Sequence, residues 1–433
     1  MMLTPIKEDF LHYLWRTKKV PLHHFETTDG RSVEVIDYGM YNVDSGPDFF
    51  NAKIRIGDTI WAGNIEMHVF SSDWNKHRHQ HDKAYENVIL HVVYENDKEI
   101  KPANSDFDIP TIELKGKIPG IFLNQYLYLM QSQDEIPCAR LLKNVDHEKI
   151  HFWKYGLVVE RLFQKSNVVN IILEHTQNDW EETLYILLAR YFGAKVNAEP
   201  FERVAKSLPS SILAKNKDKP LAIEALIFGQ SGMLLADYKD EYFQSLKREY
   251  TFLKHKYQLQ NIDAVSWKFS KLRPVNFPTI RLAQFASLIA GNSGIFSMIK
   301  ETESPAEIKR ILKSTASAYW DTHYKFDSES KYQKKVTGSD FEDILLINAV
   351  CPILYFYGKL NDEEKYIEKA INILEHLASE NNNITDMWKS YGLHCKSSFD
   401  SQALIHLKTQ YCKEFRCLQC TIGNEIINKS KIT

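Results

Sequence analysis

Neither sign of charge is in excess: 54 lysines and arginines face 56 aspartates and glutamates, for a formal net charge of -2. The surplus of Lys and Arg that marks a whole-protein nucleic-acid footprint is therefore missing, and only a local basic groove stays open. Apolar runs are short, none reaching the ~18 uninterrupted residues of a membrane span, so no membrane association is expected. The opening segment MMLTPIKEDFLHYLW carries Lys7, Glu8 and Asp9 and no apolar run before a small-residue cleavage site, which argues against a signal peptide. Cysteine is sparse, six in 433 residues. Three of them crowd into CKEFRCLQC rather than forming an evenly spaced disulfide framework, so a reducing, cytoplasmic setting is expected. No repeat of fixed length argues for a solenoid. IFGQSGML has too few glycines and no Lys-Ser/Thr ending for a Walker loop, and no H-E-x-x-H marks a zinc protease.

What is present is an ordinary globular composition, 44% hydrophobic and 25% charged, in a chain of 50.5 kDa. That mass exceeds what one core usually serves, so two domains are expected. Residues 5–16 place Ile6, Phe10, Tyr13 and Leu14 at helical spacing, VEVIDYGMYN alternates as a strand, and DFFNAKIRIG with TIWAGNIEMHVF predicts a hairpin turning at Gly57-Asp58. SSDWNKHRHQHDKAYEN predicts a helix opened by Ser and Asp, and VILHVVYE a buried strand. From about residue 145 the apolar period changes to 3.6, with helices predicted in WKYGLVVERLFQKSNVVNIILEH, WEETLYILLARYFG and KPLAIEALIFGQSGML and over 240–257, 278–300, 304–315, 340–358, 362–378 and 400–428. The expected organisation is an α/β domain over 1–130, a mixed sheet flanked by helices, then an all-helical domain over 131–433 carrying the cysteine cluster. The turn formers in 100–145 suggest the link.

Five of the 16 histidines fall between His68 and His91. Asp48 opens one arm of the predicted hairpin and Glu66 closes the other, which sets two carboxylates at one sheet edge, a donor pair suited to Mg²⁺ or Mn²⁺. His68, two residues after Glu66, shares its face by the strand period. In the predicted helix His77, His81 and Tyr85 recur every four residues on one face and His79 lies on another, while His91 adds an imidazole from the buried strand. Zinc is the competing ion for these histidines. A solvated polar helix without specific function is the plain alternative.

With Pro47-Asp48 followed by Glu66-Met67-His68 on the next strand, and the order helix, three strands, helix, strand, residues 1–97 resemble the core of the PD-(D/E)XK nuclease-like superfamily. That resemblance implies a restriction-endonuclease-like domain, Asp48 and Glu66 as metal ligands, Glu8 on the first helix as a further acidic ligand, and His68 at the position of the superfamily's lysine. It also implies that His81 and Tyr85 stand in for substrate-contacting residues. The whole chain, through GPDFFNAKI, GNIEMHV, RPVNFPTIR and CLQCTIG, is similar to a bacterial family known only as a domain of unknown function, which supplies no activity.

Two further groups complete the candidates. Lys271, Arg273 and Arg281 flank Asn276 and two prolines, with a helix starting near Pro278, an arrangement able to hold a phosphate, although capping helices or pairing with acids of the other domain is the commoner use of such residues. Cys412, Cys417 and Cys420 form C-x4-C-x2-C, which Cys395, His394 or His406 would complete as a structural zinc or iron–sulfur site, unless these are buried free thiols. Trp61, Trp74 and Trp153 are expected to pack in cores or interfaces. The leading expectation is a metal-dependent phosphodiesterase or nuclease-like protein with nucleic acid as partner and Asp48, Glu66 and His68 as its catalytic group. The alternatives are an inactive nuclease-like scaffold that binds a partner, and a histidine-bound zinc hydrolase. The sequence leaves oligomeric state open.

Overall fold

The computed structural model describes residues 6–19, 25–100, 109–260 and 267–429. Two compact units emerge, one of Met1–Trp153 with Leu407–Thr433, the other of Lys154–His406. This division differs from the expected 1–130 and 131–433. The boundary falls inside one continuous 29-residue helix, His147–His175, so the turn formers in KGKIPG and DEIPC belong to the first unit, while most of KPANSDFDIP lies outside the described residues. At the other end the chain returns: Gln125 Nε2 donates to the Lys429 carbonyl at 2.7 Å, and Asn428 Nδ2 to the Tyr13 hydroxyl at 3.0 Å.

In the first unit, α1 (Glu8–Arg16) buries Phe10, Leu11, Tyr13, Leu14 and Trp15, with acids in its first turn and Arg16 in its last, as the helix dipole favours. The mixed sheet contains β1 (Phe25–Glu26), β2 (Ser32–Asp37), β3 (Met40–Tyr41), β4 (Phe49–Ile56), β5 (Thr59–Phe70), β6 (Val88–Glu95) and β7 (Thr111–Glu113). Their order is β1-β2-β4-β5-β6-β7, with β3 also pairing β4. The pairs up to β4·β5 are antiparallel, and β5·β6 and β6·β7 are parallel. β6 lies inside the sheet and buries both faces from Val88 to Val93, which is why its sequence shows no alternation. The predicted hairpin turns at Gly57-Asp58, Gly57 taking φ +55°, a conformation that favours glycine.

The predicted helix between β5 and β6 is not one. α2 stops at four residues (Asp73–Lys76), Arg78 enters the left-handed region at φ 64°, and 3-10 turns follow at His79–His81 and Lys83–Tyr85. The excursion is held by packing instead: Trp74, 1% exposed, forms a small core with Val88 and Ile100. α3 (Gly120–Met130) then packs beside α1, with Phe10 and Tyr126 stacked at 4.0 Å.

The second unit is helical, with one correction to the all-helical expectation: His323–Lys325 and Ser328–Glu329 form a two-stranded antiparallel sheet. The predicted 278–300 helix breaks into Pro278–Gly291 and Ile295–Glu301, bent by 68°, with Gly294 at φ +67°. The predicted 400–428 helix resolves into Ser398–His406, a π turn Leu407–Cys412, a 3-10 turn Cys417–Gln419 and Thr421–Asn428, across the unit boundary. Among the described residues one helix, Ser339–Leu360, is long and apolar enough by composition to cross a membrane; 61% of its apolar window is buried inside the protein, as in a core helix.

Two outcomes follow from this packing. Gly63 precedes the register shift between Asn64 and Ile65, and a Cβ there would fall 2.5 Å from Ile89 Cγ2 and 2.6 Å from the Asn87 carbonyl. Gly63→Ala is expected to cost about 1–3 kcal/mol in urea unfolding, as overpacking does, and an unchanged midpoint would refute the close approach. In the second unit Lys165 Nζ donates to Asn348 Oδ1 at 2.9 Å and Gln402 Oε1 at 3.0 Å. Burial first, and the Arg161 charge second, push the Lys165 ammonium down from 10.5 to about 7. Between those values the unfolded chain holds a proton that the folded one has released, so this lysine makes stability rise with pH there. Unfolding free energy of the parent, measured against Lys165→Met, should climb from pH 7 to pH 10; a flat difference would overturn the shift.

Candidate metal centre

The pairing of Phe49 with Ile65 sets Asp48 beside Glu66. The two lock reciprocally: the Asp48 N–H donates to Glu66 Oε2 at 3.2 Å, and the Met67 N–H donates to Asp48 Oδ2 at 2.8 Å. A bulge lies next to them, where the β4·β5 register shifts between Phe49 and Ala52 and Asn51 takes φ 57°. One oxygen of each carboxylate is thus committed to backbone. Glu66 Oε1 remains, and it faces histidines.

His68, 1% exposed, lies two residues along β5 on the Glu66 face. Its Nδ1 meets His91 Nε2 at 2.9 Å, which follows from the parallel register that sets Glu66 opposite His91. Its Nε2 lies 3.1 Å from His77 Nδ1 and 3.6 Å from Glu66 Oε1. His79 Nε2 approaches the same Glu66 oxygen at 3.2 Å. The ring nitrogens of His68, His77 and His79 can be chosen to lie within 4.8 Å of one another. Ligand atoms about 2.0–2.1 Å from a tetrahedral zinc ion sit about 3.3–3.4 Å apart, so edges of this length are what one shared cation requires. His79 Nε2 is moreover buried and closes no hydrogen bond of ordinary geometry, a lone donor atom facing the centre. The residues present fit a divalent ion bound by imidazole and carboxylate.

The left-handed Arg78 produces this set. Because it breaks the helix, His77 and His79 converge although they are two residues apart, while His81, predicted to join His77, is exposed and outside the group. Tyr85 is near but differently employed, stacking on His79 with ring centroids 3.8 Å apart and orienting that imidazole. Trp74 is in the core as expected, whereas Trp61 is 37% exposed on the sheet.

α1 supplies the other wall. His12 Nε2 lies 3.2 Å from Asp48 Oδ2, and Glu8, one turn earlier, feels the charges of His77, Asp48 and His12. His12 was not among the sequence candidates; its only signal was the four-residue spacing from Glu8. Burial alone would push His12 down, but its hydrogen-bonding contact with Asp48 and the charges of Asp48, Glu8 and Asp9 outweigh it and raise the imidazole. Glu66 is pushed up to about 9, by burial first and then by Asp48. His68 is pushed down to about 2 and His91 to about 3, by burial first and then by neighbouring imidazoles. The buried rings are held neutral, with lone pairs available, around a carboxyl that lacks a compensating cation.

The remaining candidates lie elsewhere. Arg281 belongs to the second unit, where Nη1 donates to Gln284 Oε1 at 3.0 Å, Nη2 to Asn276 Oδ1 at 2.7 Å, and the guanidinium lies 3.5 Å over the Phe341 ring. Burial pushes it down to about 10. It borders a cavity of about 470 Å³; Lys271 and Arg273 are exposed in the loop before its helix. Cys395 and His394 are also in the second unit, Cys395 beside Asp400 and Lys154, and His406 there meets Glu160 at 3.2 Å. Cys412, Cys417 and Cys420 are buried in the first unit.

Metal binding separates the imidazoles cleanly. Zn²⁺ or Mn²⁺ at about 100 times its Kd should stabilise the folded chain by about 2.7 kcal/mol. His79→Ala should lose the corresponding rise in Tm and His81→Ala should keep it; equal responses would remove His79 from the centre.

No significant match to the chain was found among curated proteins or among solved structures. A family match does run through residues 8–383, taking in Glu8, His12, both strands of the hairpin and all five histidines of the β5–β6 region. The chain belongs to the family described as Protein of unknown function (DUF2851).

Proposed function

We propose that the chain is a metal-dependent phosphodiesterase acting on nucleic acid, built on a restriction-endonuclease-like α/β unit, with its ion held by Glu66, His68, His77 and His79. The observation that carries this reading is the cluster of donor separations, 3.1, 3.2 and 3.6 Å, around one point beside Asp48. A helix, antiparallel strands, an excursion and a parallel strand occur in that order in the first unit, which supports the resemblance to the nuclease-like core, and on that resemblance Asp48 and Glu66 correspond to its acids. Among the described residues the side chains that meet the Glu66 carboxyl are the imidazoles of His68 and His79, not the arginine that would favour an inert scaffold. Imidazole-rich donors suit zinc and related transition ions better than Mg²⁺, which prefers oxygen.

When bound, a divalent ion supplies Lewis acidity toward a phosphoryl oxygen and makes water a stronger acid. The chain's own residues do the rest. Glu66 neutralises and orients, since its second oxygen is anchored by the Asp48 N–H. His91 fixes the His68 ring through Nδ1, leaving Nε2 to face the centre, as a second hydrogen bond on a ligating imidazole commonly does. His12 Nε2 lies against Asp48 Oδ2, so a proton that His12 accepts or returns at this nitrogen moves through that contact. Arg78 and Lys83 are exposed on the excursion and add positive charge beside it. The same imidazole-rich donor set supports a second reading, a histidine-bound zinc hydrolase acting on esters other than phosphodiesters.

Cleavage of bis(p-nitrophenyl) phosphate and of labelled single-stranded DNA and RNA, measured with Mn²⁺, Zn²⁺ and Mg²⁺, tests the proposal. Glu66→Gln and His79→Ala should each lower the rate by more than the about 10–100-fold that losing an outer partner costs. His68→Lys restores the superfamily residue but removes a ligand, so activity should fall; preserved activity would return the chemistry to the Asp48–Glu66 acid pair. A metal-loaded chain that cleaves carboxylic esters and no phosphodiester supports the second reading, and one that cleaves neither refutes both.

A further inference from the structure

Four of the six cysteines meet in the first unit, far along the chain from one another. Cys138 precedes the 3-10 turn Ala139–Asn144, Cys412 ends the π turn Leu407–Cys412, Cys417 opens the turn Cys417–Gln419, and Cys420 is the N-cap of the helix Thr421–Asn428. All four are buried, and they lie close enough for each thiol to act on the others electrostatically. The helix Thr421–Asn428 packs on the turns Ala139–Asn144 and Cys417–Gln419. The approach is tight, since a Cβ on Gly423 would fall 2.1 Å from the Cys417 carbonyl. Nearby, Lys408 donates to the carbonyl of Glu135 across 273 positions of sequence.

We propose that Cys138, Cys412, Cys417 and Cys420 are the four thiolate ligands of an iron–sulfur cluster that fastens the C-terminal segment to the α/β unit. Three arguments converge on it. The first is the spacing: C-x4-C-x2-C with a distant fourth cysteine is a recurrent way of holding such clusters. The second is the environment of Cys420. The backbone N–H groups of Ile422 and Gly423 and the Trp153 indole N–H lie near its sulfur, and none of them closes a hydrogen bond of ordinary geometry with it. Donors gathered on one sulfur suit a thiolate, which a neutral buried thiol is not. Binding replaces four S–H bonds with four Fe–S bonds and releases four protons to solvent.

The third argument concerns which metal. Zn–S bonds of about 2.3 Å would set four sulfurs about 3.8 Å apart. Among the described residues no three of the cysteine sulfurs gather within 4.8 Å of one another as the three imidazole nitrogens do. A polynuclear cluster, with its ligands on separate irons, spreads them wider. The segment it would hold is made of short 3-10 and π turns with little stability of their own, which is where a staple contributes most.

The test is made on the full chain purified without oxygen. Iron and acid-labile sulfide in equal amounts with a broad visible absorption are expected, both lost in Cys138→Ser and Cys417→Ser and both kept in Cys395→Ser. Should the serine variants prove insoluble, alkylation of the unmodified chain decides: the four cysteines should be protected as purified and labelled after iron chelation, with Cys395 labelled alike in both. Zinc without sulfide, falling by one equivalent in Cys138→Ser, would overturn the cluster. A colourless, metal-free chain whose four thiols label identically with and without chelator would overturn the site altogether.

Discussion

Glu66 is a carboxyl taken out of water on β5 that meets no lysine or arginine among the described residues. Burying a charge in that way is costly unless something compensates. The Asp48 N–H fixes one oxygen, and that contact exists only because the β4 bulge brings Asp48 back over β5. Imidazoles surround the other. Because they are themselves desolvated they remain neutral, so without a cation nothing there offsets the burial that pushes the Glu66 carboxyl toward its protonated form. A divalent cation resolves the whole set at once, favouring the ionised carboxylate and the neutral rings together. The geometry of the excursion, the orphaned His79 nitrogen and the His68–His91 contact all become ordinary once that cation is supposed.

The hairpin part of this centre was readable from sequence because it obeys local rules. A two-residue glycine turn fixes the register, the strand period puts Glu66 and His68 on one face, and Asp48 follows from the pairing. The excursion was not readable. Its reversal occurs at Arg78, a residue with no preference for φ above zero, so no glycine or asparagine announced it. Burial of Trp74 and the reach from β5 to β6 decide the path there, and a polar stretch with histidines at alternate positions looks the same as a solvated helix until that constraint is known. The unit boundary was hidden for a different reason. It lies within an uninterrupted helix, where composition does not change. Cys138 gave no signal at all, since an isolated cysteine before a turn carries no spacing to read.

The two centres of the α/β unit share an element. α1 packs on β5, presenting Glu8 and His12 to the histidine cluster, and it also contacts the turn Cys417–Gln419. Asn428 reaches the Tyr13 hydroxyl on this same helix. A nine-residue helix is too short to be stable alone, so its position is set by what it packs against. If the cysteines hold the C-terminal segment in place, they also hold the helix that orients His12 against Asp48. Loss of that segment would then leave the imidazole ligands on β5 and the excursion intact while loosening the His12–Asp48 contact. Metal affinity would change less than proton transfer, because the ligands of the ion and the partner of the proton are carried by different elements.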